Sequence, residues 1–257
     1  MKKIIDFKVS DIKWLSNDTY LLDLFSEENL PEILPGSFAE IKINKAGGVF
    51  LRRPFSIHDV DYEKNIISFF IKIAGKGTSH LAKCKEGDKV NVILPLGNSF
   101  SFPEENEVLL IGGGSGIAPL KIMGKQFQKN GASPTFLIGG KSKNDIFLVD
   151  ELSKYGEVFI TTEDGSLGEK GFVTHHSVFD SVDFKYKKIY TCGPEPMMKT
   201  IAKFASENNI ECEVSLENTM ACGIGACLCC VVDTKEGNKC VCIDGPVFNI
   251  KDLKWQI

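Results

Sequence analysis

Six of the nine cysteines lie between Cys222 and Cys242, in a stretch that opens Cys222-Gly-Ile-Gly-Ala-Cys227-Leu-Cys229-Cys230 and continues to Cys240 and Cys242. Sulfurs spaced C-x4-C-x2-C cannot all face one inorganic core from a continuous helix or strand, so this segment has to be a wrapped loop. That spacing, with a distant further cysteine, is associated with a 2Fe-2S centre. Zinc knuckles use closer C-x2-4-C pairs, and a reduced cysteine-rich zinc site is the competing reading. Gly223 and Gly225 suit the cluster loop, because a backbone without Cβ atoms can turn its N–H groups toward sulfur.

A disulfide scaffold would also use many cysteines, but it belongs to small exported domains. After Met1-Lys-Lys the chain meets Asp6, Lys8, Asp11 and Lys13, so no apolar core of a signal peptide forms, and a cytoplasmic location with reduced thiols is expected. No stretch is apolar enough to predict a membrane span. A net charge of -4 gives no general case for nucleic-acid binding.

The first hundred residues read as β-rich. Tyr20–Phe25, Ser37–Ile43, Ile66–Ile73 and Lys89–Leu94 are strand-like, separated by turns at Pro35-Gly36, Gly47-Gly48 and Glu86-Gly87-Asp88. Short strands at this spacing predict an antiparallel barrel, and Ser101–Asn106 reads as a linker. The next hundred residues alternate strand and helix. The apolar strand Val108–Ile111 runs into Gly112-Gly-Gly-Ser-Gly-Ile-Ala-Pro119 and then a helix-like segment ending at Gly131. A glycine turn entering a helix lets a phosphate approach the backbone at the positive end of the helix. It departs from G-x-G-x-x-G, since Ile117 holds the last position, and a tight structural turn is the bland alternative. A helix over Asp145–Tyr155 and strands at Val158–Thr162, Lys188–Thr191 and Cys212–Leu216 follow, with a helix over Glu195–Asn208. They predict a parallel α/β sheet whose ligand crevice lies at the carboxyl ends of the strands, where Cys192-Gly193-Pro194 falls. Met197 and Met198 read as core, and His175-His176 as a solvated turn.

Arg52-Arg53-Pro54-Phe55-Ser56 and Gly75-Lys-Gly77-Thr78, upstream of the glycine turn, Cys192-Gly193 and the cysteine loop, resemble the ferredoxin-reductase superfamily across nearly the whole chain. Leu216-Glu217 with the loop and Cys242-Ile-Asp-Gly-Pro-Val-Phe248 narrow the resemblance to the electron-transfer subunits of NAD-dependent, two-flavin dihydroorotate dehydrogenases. The resemblance implies three domains: residues 1–102 a flavin-binding β-barrel, 103–213 a parallel α/β nucleotide-binding domain, and 214–257 a small 2Fe-2S domain. It implies FAD held by Arg53, Pro54, Phe55 and Ser56, by backbone near Ile71 and Lys72, and by Gly77 and Thr78. NAD would lie by Gly113, Gly114, Gly116, Cys192 and Gly193. Its adenosine ribose would lie near Glu163 and Asp164, whose charges would disfavour the 2′-phosphate of NADP. The cluster ligands fall on Cys222, Cys227, Cys230 and Cys242, with Cys229 and Cys240 open as substitutes.

Nicotinamide moves a hydride, an iron-sulfur centre one electron, and flavin can do both. The implied path joins an FMN-containing dihydroorotate dehydrogenase catalytic subunit, in a two-plus-two heterotetramer, to NAD through the cluster and FAD, serving pyrimidine (UMP) biosynthesis. No residue reads as a general base for dihydroorotate oxidation, so that step is expected on the partner. The small flavin and 2Fe-2S subunit of a ferredoxin-dependent NADP reductase or sulfide dehydrogenase shares these motifs and is the alternative.

Overall fold

A computed structural model describes residues 2–43, 47–103, 107–180 and 184–255. Its backbone contacts divide the chain into two units. One joins Met1–Ser99 to Asn218–Val232 and Lys239–Pro246, and the other joins Phe100–Glu217 to Asp233–Asn238 and Val247–Ile257.

The first unit is built on strands β1 (Lys3–Trp14), β2 (Thr19–Phe25), β3 (Phe38–Ile41), β4 (Arg53–Ser56), β5 (Asp59–Asp61) and β6 (Ile66–Lys72). A short helix α1 (Lys76–Leu81) and β7 (Lys89–Leu96) complete it. The strands form one antiparallel sheet in the order β4-β3-β7-β1-β2-β6-β5, an antiparallel half-barrel. The residues of β1 alternate: Ile5, Phe7 and Val9 are buried while Ile4 and Asp6 are exposed. A strand with one wet face needs that alternation.

The second unit is an α/β sheet of β8 (Val108–Gly113), β9 (Thr135–Gly140), β10 (Glu157–Thr162), β11 (Glu169–Lys170), β12 (Lys188–Cys192) and β13 (Glu211–Ser215), with helices α2 (Leu120–Lys129), α3 (Val149–Leu152) and α4 (Glu195–Glu207). A two-stranded ladder of β14 (Val231–Thr234) and β15 (Gly237–Cys240) precedes β16 (Val247–Asn249). The sheet order is β11-β10-β9-β8-β12-β13-β16; every pairing is parallel except the last, where β16 runs antiparallel to β13. Strands β8, β9 and β12 are largely apolar and buried, as a sheet covered on both faces requires. The helix expected over Asp145–Tyr155 shortens to α3 because Leu148 takes a left-handed φ of 63° and breaks the run.

The stretch read as a linker is fastened to the second unit. Glu213 Oε1 and Oε2 accept from Ser101 Oγ at 2.6 Å and Ser101 N at 3.0 Å, Lys188 pairs with Glu213 at 2.8 Å, and Tyr190 donates to Ser101 O at 2.6 Å. A buried lysine and glutamate offset their desolvation only through such mutual contacts, and Ser101 completes them. Residues 104–106 of that stretch lie outside the described residues. His176 is also buried rather than solvated, stacked on Phe159 with ring centroids 5.0 Å apart, while His175 is exposed. Among the described residues, no helix is long and apolar enough to cross a membrane.

Candidate functional site

The cysteine loop is carried by the half-barrel unit. Asn98 N and Nδ2 donate to Gly245 O and Asp244 O at 2.6 and 2.9 Å, and a Cβ on Gly97 would lie 2.5 Å from the Pro246 ring. That close approach seats the segment after Cys242 on the end of β7. Within the loop the cysteines act on one another: Cys222 interacts with Cys227 and Cys230 with Cys242, and Cys222 also acts on Cys240 and Cys242. Gly225 N donates to Cys242 Sγ at 3.1 Å and Cys242 N approaches Cys230 Sγ at 3.4 Å. Gly223 and Gly225 take left-handed φ of 65° and 82°, which turns the loop's amides inward.

The donor set fits a two-iron core. N–H groups of Ile224, Cys227 and Ala226 together with the Cys227 thiol lower the pKa of Cys222 to about 6, with the Ile224 amide contributing most. Such a nest favours thiolate, the state an iron ligand needs. Among the described residues no three donors converge on a single metal position; four cysteine thiolates drawn from one loop are the donor set a two-iron centre takes. Cys227 and Cys229 are exposed, and Cys230, Cys240 and Cys242 are buried. Cys240 donates its N–H to Asp244 Oδ2 at 2.7 Å.

In the same unit, β4 holds Arg53, Pro54, Phe55 and Ser56 in register with Ile41, Glu40, Ala39 and Phe38 of β3. The two arginines are used differently. Arg52 Nη1 donates to Glu40 O and Asn91 O at 3.2 and 3.0 Å, and Nη2 to Asn91 Oδ1, so its head is spent on the barrel. Arg53 Nη1 donates to Leu51 O and Arg52 O at 2.9 and 3.1 Å, while its Nε lies where a Cβ on Gly77 would come within 3.1 Å. A guanidinium presents a fork of N–H donors of the kind that phosphate oxygens accept from. Thr78 Oγ1 accepts from Ala74 N and Gly75 N at 2.9 and 3.2 Å, so its hydroxyl closes the turn before α1. The Ile71 side chain belongs to the core, and Lys72 reaches Asp18 at 3.6 Å, leaving backbone as the means by which this strand end could touch a ligand.

In the second unit, β8 ends at Gly113 and passes through a 3-10 turn at Gly114–Ile117 into α2. The glycines interlock with the turn after β12: a Cβ on Gly116 would lie 2.0 Å from Cys192 O, and one on Gly113 would lie 2.6 Å from Met197 Sδ. Gly113, Gly114, Ser115, Gly193 and Pro194 line a cavity of about 300 Å³ together with Glu195, Met198 and Glu217. It lies at the carboxyl ends of β8 and β12, where open α/β sheets bind ligands. A wider hollow of about 750 Å³ at Gly131–Ser133 and Ser153–Val158 lies at the opposite end of the strands. Burial and the nearby Glu217 push the Cys192 thiol up to about 12, so it stays protonated at neutral pH. Sequence reading did not assign Glu217; its one signal was an acid directly after the strand leading to the cysteine loop.

Glu163 and Asp164 are not among the residues lining that cavity. They follow β10, two strands from β8, and Asp164 accepts from Ser166 N and Oγ at 2.9 and 2.6 Å, which lowers its pKa and ties the turn together.

Three family models match the chain: an oxidoreductase FAD-binding domain over residues 6–100, an oxidoreductase NAD-binding domain over 110–203, and the iron-sulfur cluster binding domain of dihydroorotate dehydrogenase B over 217–254. The chain is similar to the electron transfer subunit of dihydroorotate dehydrogenase B (NAD(+)) from Fusobacterium nucleatum, 37% identical over 98% of this chain and 99% of that protein. Its counterpart from Caldanaerobacter subterraneus is 42% identical over 83% of this chain and 84% of its own length. Among solved structures, an NADH-dependent reduced ferredoxin-NADP oxidoreductase aligns with a TM-score of 0.86 at 30% identity, over 97% of this chain and 90% of that one. A ferredoxin reductase of carbazole 1,9a-dioxygenase, at 21% identity and a TM-score of 0.69 over 81% of this chain and 67% of that one, shares the fold.

Proposed function

Because the chain belongs to the family of electron transfer subunits of dihydroorotate dehydrogenase B, we propose that it carries electrons between the FMN of a dihydroorotate-oxidising catalytic subunit and NAD, through a 2Fe-2S cluster and FAD, in pyrimidine biosynthesis. FAD, when bound, exchanges a hydride with nicotinamide and single electrons with the cluster. The observation that carries the reading is the gathering of Cys222, Cys227, Cys230 and Cys242 on a loop seated on the same unit as the Arg53–Ser56 strand.

Each proposed role rests on what a residue can do from its position. Cys222, Cys227, Cys230 and Cys242 ligate the irons, with Cys229 and Cys240 left open as substitutes. Arg53 binds the FAD diphosphate over Gly77, Ser56 offers a hydroxyl to the flavin beside Pro54 and Phe55, and Ile71, Lys72 and Thr78 contribute main chain. Gly113, Gly114 and Gly116 let the nucleotide approach, with Cys192, Gly193 and Glu217 at the nicotinamide end. Glu163 and Asp164 disfavour a 2′-phosphate through charge alone. The functional division is 1–102 for FAD, 103–213 for NAD and 214–257 for the cluster.

The exposed side chains of Ile224, Leu228 and Ile243 on the loop suit the docking of the catalytic subunit, since apolar side chains gathered at an electron port are natural interface material. A two-plus-two assembly in the cytoplasm is the expected form. Mixing the chain with a dihydroorotate-oxidising FMN subunit tests this: dihydroorotate should reduce NAD when both are present and not with either alone. Reduction of NADP by ferredoxin instead would favour the ferredoxin-dependent reductase.

A further inference from the structure

Glu40 lies in β3 with 0% of its surface exposed, and among the described residues neither carboxyl oxygen has a hydrogen-bond partner. An isolated buried carboxyl is costly and rare. Its surroundings show what it faces. In the sheet it pairs with Pro54 of β4 on one side and Ile93 of β7 on the other, and its main-chain oxygen accepts from Arg52. Toward the cysteine loop, a Cβ on Gly223 would lie 2.7 Å from Glu40 Cγ and 3.0 Å from Oε1. The carboxyl is therefore pressed against the residue that follows Cys222. It also shares a strand pair with the segment that carries Arg53. The charged groups acting on it are Arg52, just before β4, Arg53 of β4, and Cys222 from the loop; Asn91, from β7, is engaged by Arg52.

We propose that Glu40 sets the electron affinity of the iron-sulfur centre: its carboxylate, sealed between the Arg53–Ser56 strand and Gly223, holds a negative charge against the cluster loop and makes the centre harder to reduce. The inference rests on the ligand assignment of Cys222 and Cys227 made above. The step it biases is the gain of one electron by the cluster, from reduced FAD or from the partner's flavin, with no bond made or broken. Glu40 acts through the field it imposes and through its seat under Gly223, so it is a positioning residue. Inside a protein such a charge is screened far less than in water. Removing it should change the ratio of reduced to oxidised cluster about tenfold at a fixed solution potential, which for one electron is about 59 mV.

The test is a redox titration of the complete chain, loaded with FAD and iron and followed by electron paramagnetic resonance, for the wild type and Glu40→Gln. Burial, opposed by Arg52, holds the carboxyl above the usual carboxylate range, so the titration is run at pH 9. Glu40→Gln is expected to keep the iron and FAD content of the wild type and to move the cluster midpoint positive, with the flavin midpoint less affected. An unchanged cluster midpoint at full iron content overturns the proposal and leaves Glu40 as packing under Gly223. If Glu40→Gln fails to hold iron, Glu40→Asp, which keeps the charge, is titrated instead. Iron retained with a midpoint close to the wild type supports the proposal, and iron lost in that variant too overturns it. Failure of the ligand assignment reads out separately, as two irons retained in Cys222→Ser and Cys227→Ser.

Discussion

Arg53→Ala should release FAD, and its neighbour makes the control. Arg53 Nη1 is anchored on Leu51 O and Arg52 O, which fixes the fork over Gly77. A charge-assisted hydrogen bond contributes about 1.5–3 kcal/mol, so its loss weakens FAD binding roughly 10- to 150-fold. Gly77→Ala should act in the same direction and more mildly, because its methyl would sit 3.1 Å from Arg53 Nε and push the head aside. Arg52→Ala should do something different: its guanidinium is committed to Glu40 O and Asn91, so the half-barrel should melt earlier while flavin affinity changes less. The assay is fluorescence titration of flavin-free chain with FAD, beside a thermal melt of each variant. Unchanged FAD affinity in Arg53→Ala, or an equal loss in Arg52→Ala without a lowered melt, would refute the division of labour between the two arginines.

Cys222→Ser and Cys227→Ser should each lose the 2Fe-2S absorption while FAD stays bound, and Cys229→Ser should keep two irons per chain; iron analysis checks all three, with Cys240→Ser and Cys242→Ser in parallel. Diaphorase activity should favour NADH over NADPH and shift toward NADPH in Glu163→Arg/Asp164→Ser; equal or better turnover of NADPH by the wild type would show that the two acids do not set the choice. Stability of the iron-free chain should depend on Glu40. A carboxyl whose pKa is raised from 4.5 to about 7 on folding leaves stability intact below pH 4.5 and lowers it as pH rises to 7, by up to about 3 kcal/mol. Glu40→Gln should therefore gain stability in urea at pH 8 and not at pH 4, and an equal gain at both would contradict the assignment of the cost to charge.

The carriers were legible in the sequence because the segments proposed to hold them are local: the cysteine spacing, the glycine turn after Val108–Ile111 and the Arg53–Ser56 run are each contiguous. The alternation in β1 was equally visible, but a search for a signal peptide weighs charge and not the period of two. What could not be read were meetings between distant residues. Glu40 and Gly223 are far apart in the chain and touch only once the loop folds back on the half-barrel. Ser101 looked like linker because nothing near it in sequence marks Lys188, Tyr190 and Glu213 as its partners. The turn at Glu163–Ser166 was ambiguous for another reason, since an acid that caps its own turn and an acid that faces a ribose have the same sequence.

Anaerobic addition of NADH to the purified chain tests the central claim most directly. The flavin should bleach, and the paramagnetic signal of a reduced 2Fe-2S centre should appear at about one spin per chain, with no signal from chain stripped of FAD. A colourless chain that carries zinc, or a flavin that bleaches while iron in the Cys222–Cys242 loop never takes up an electron, would contradict it.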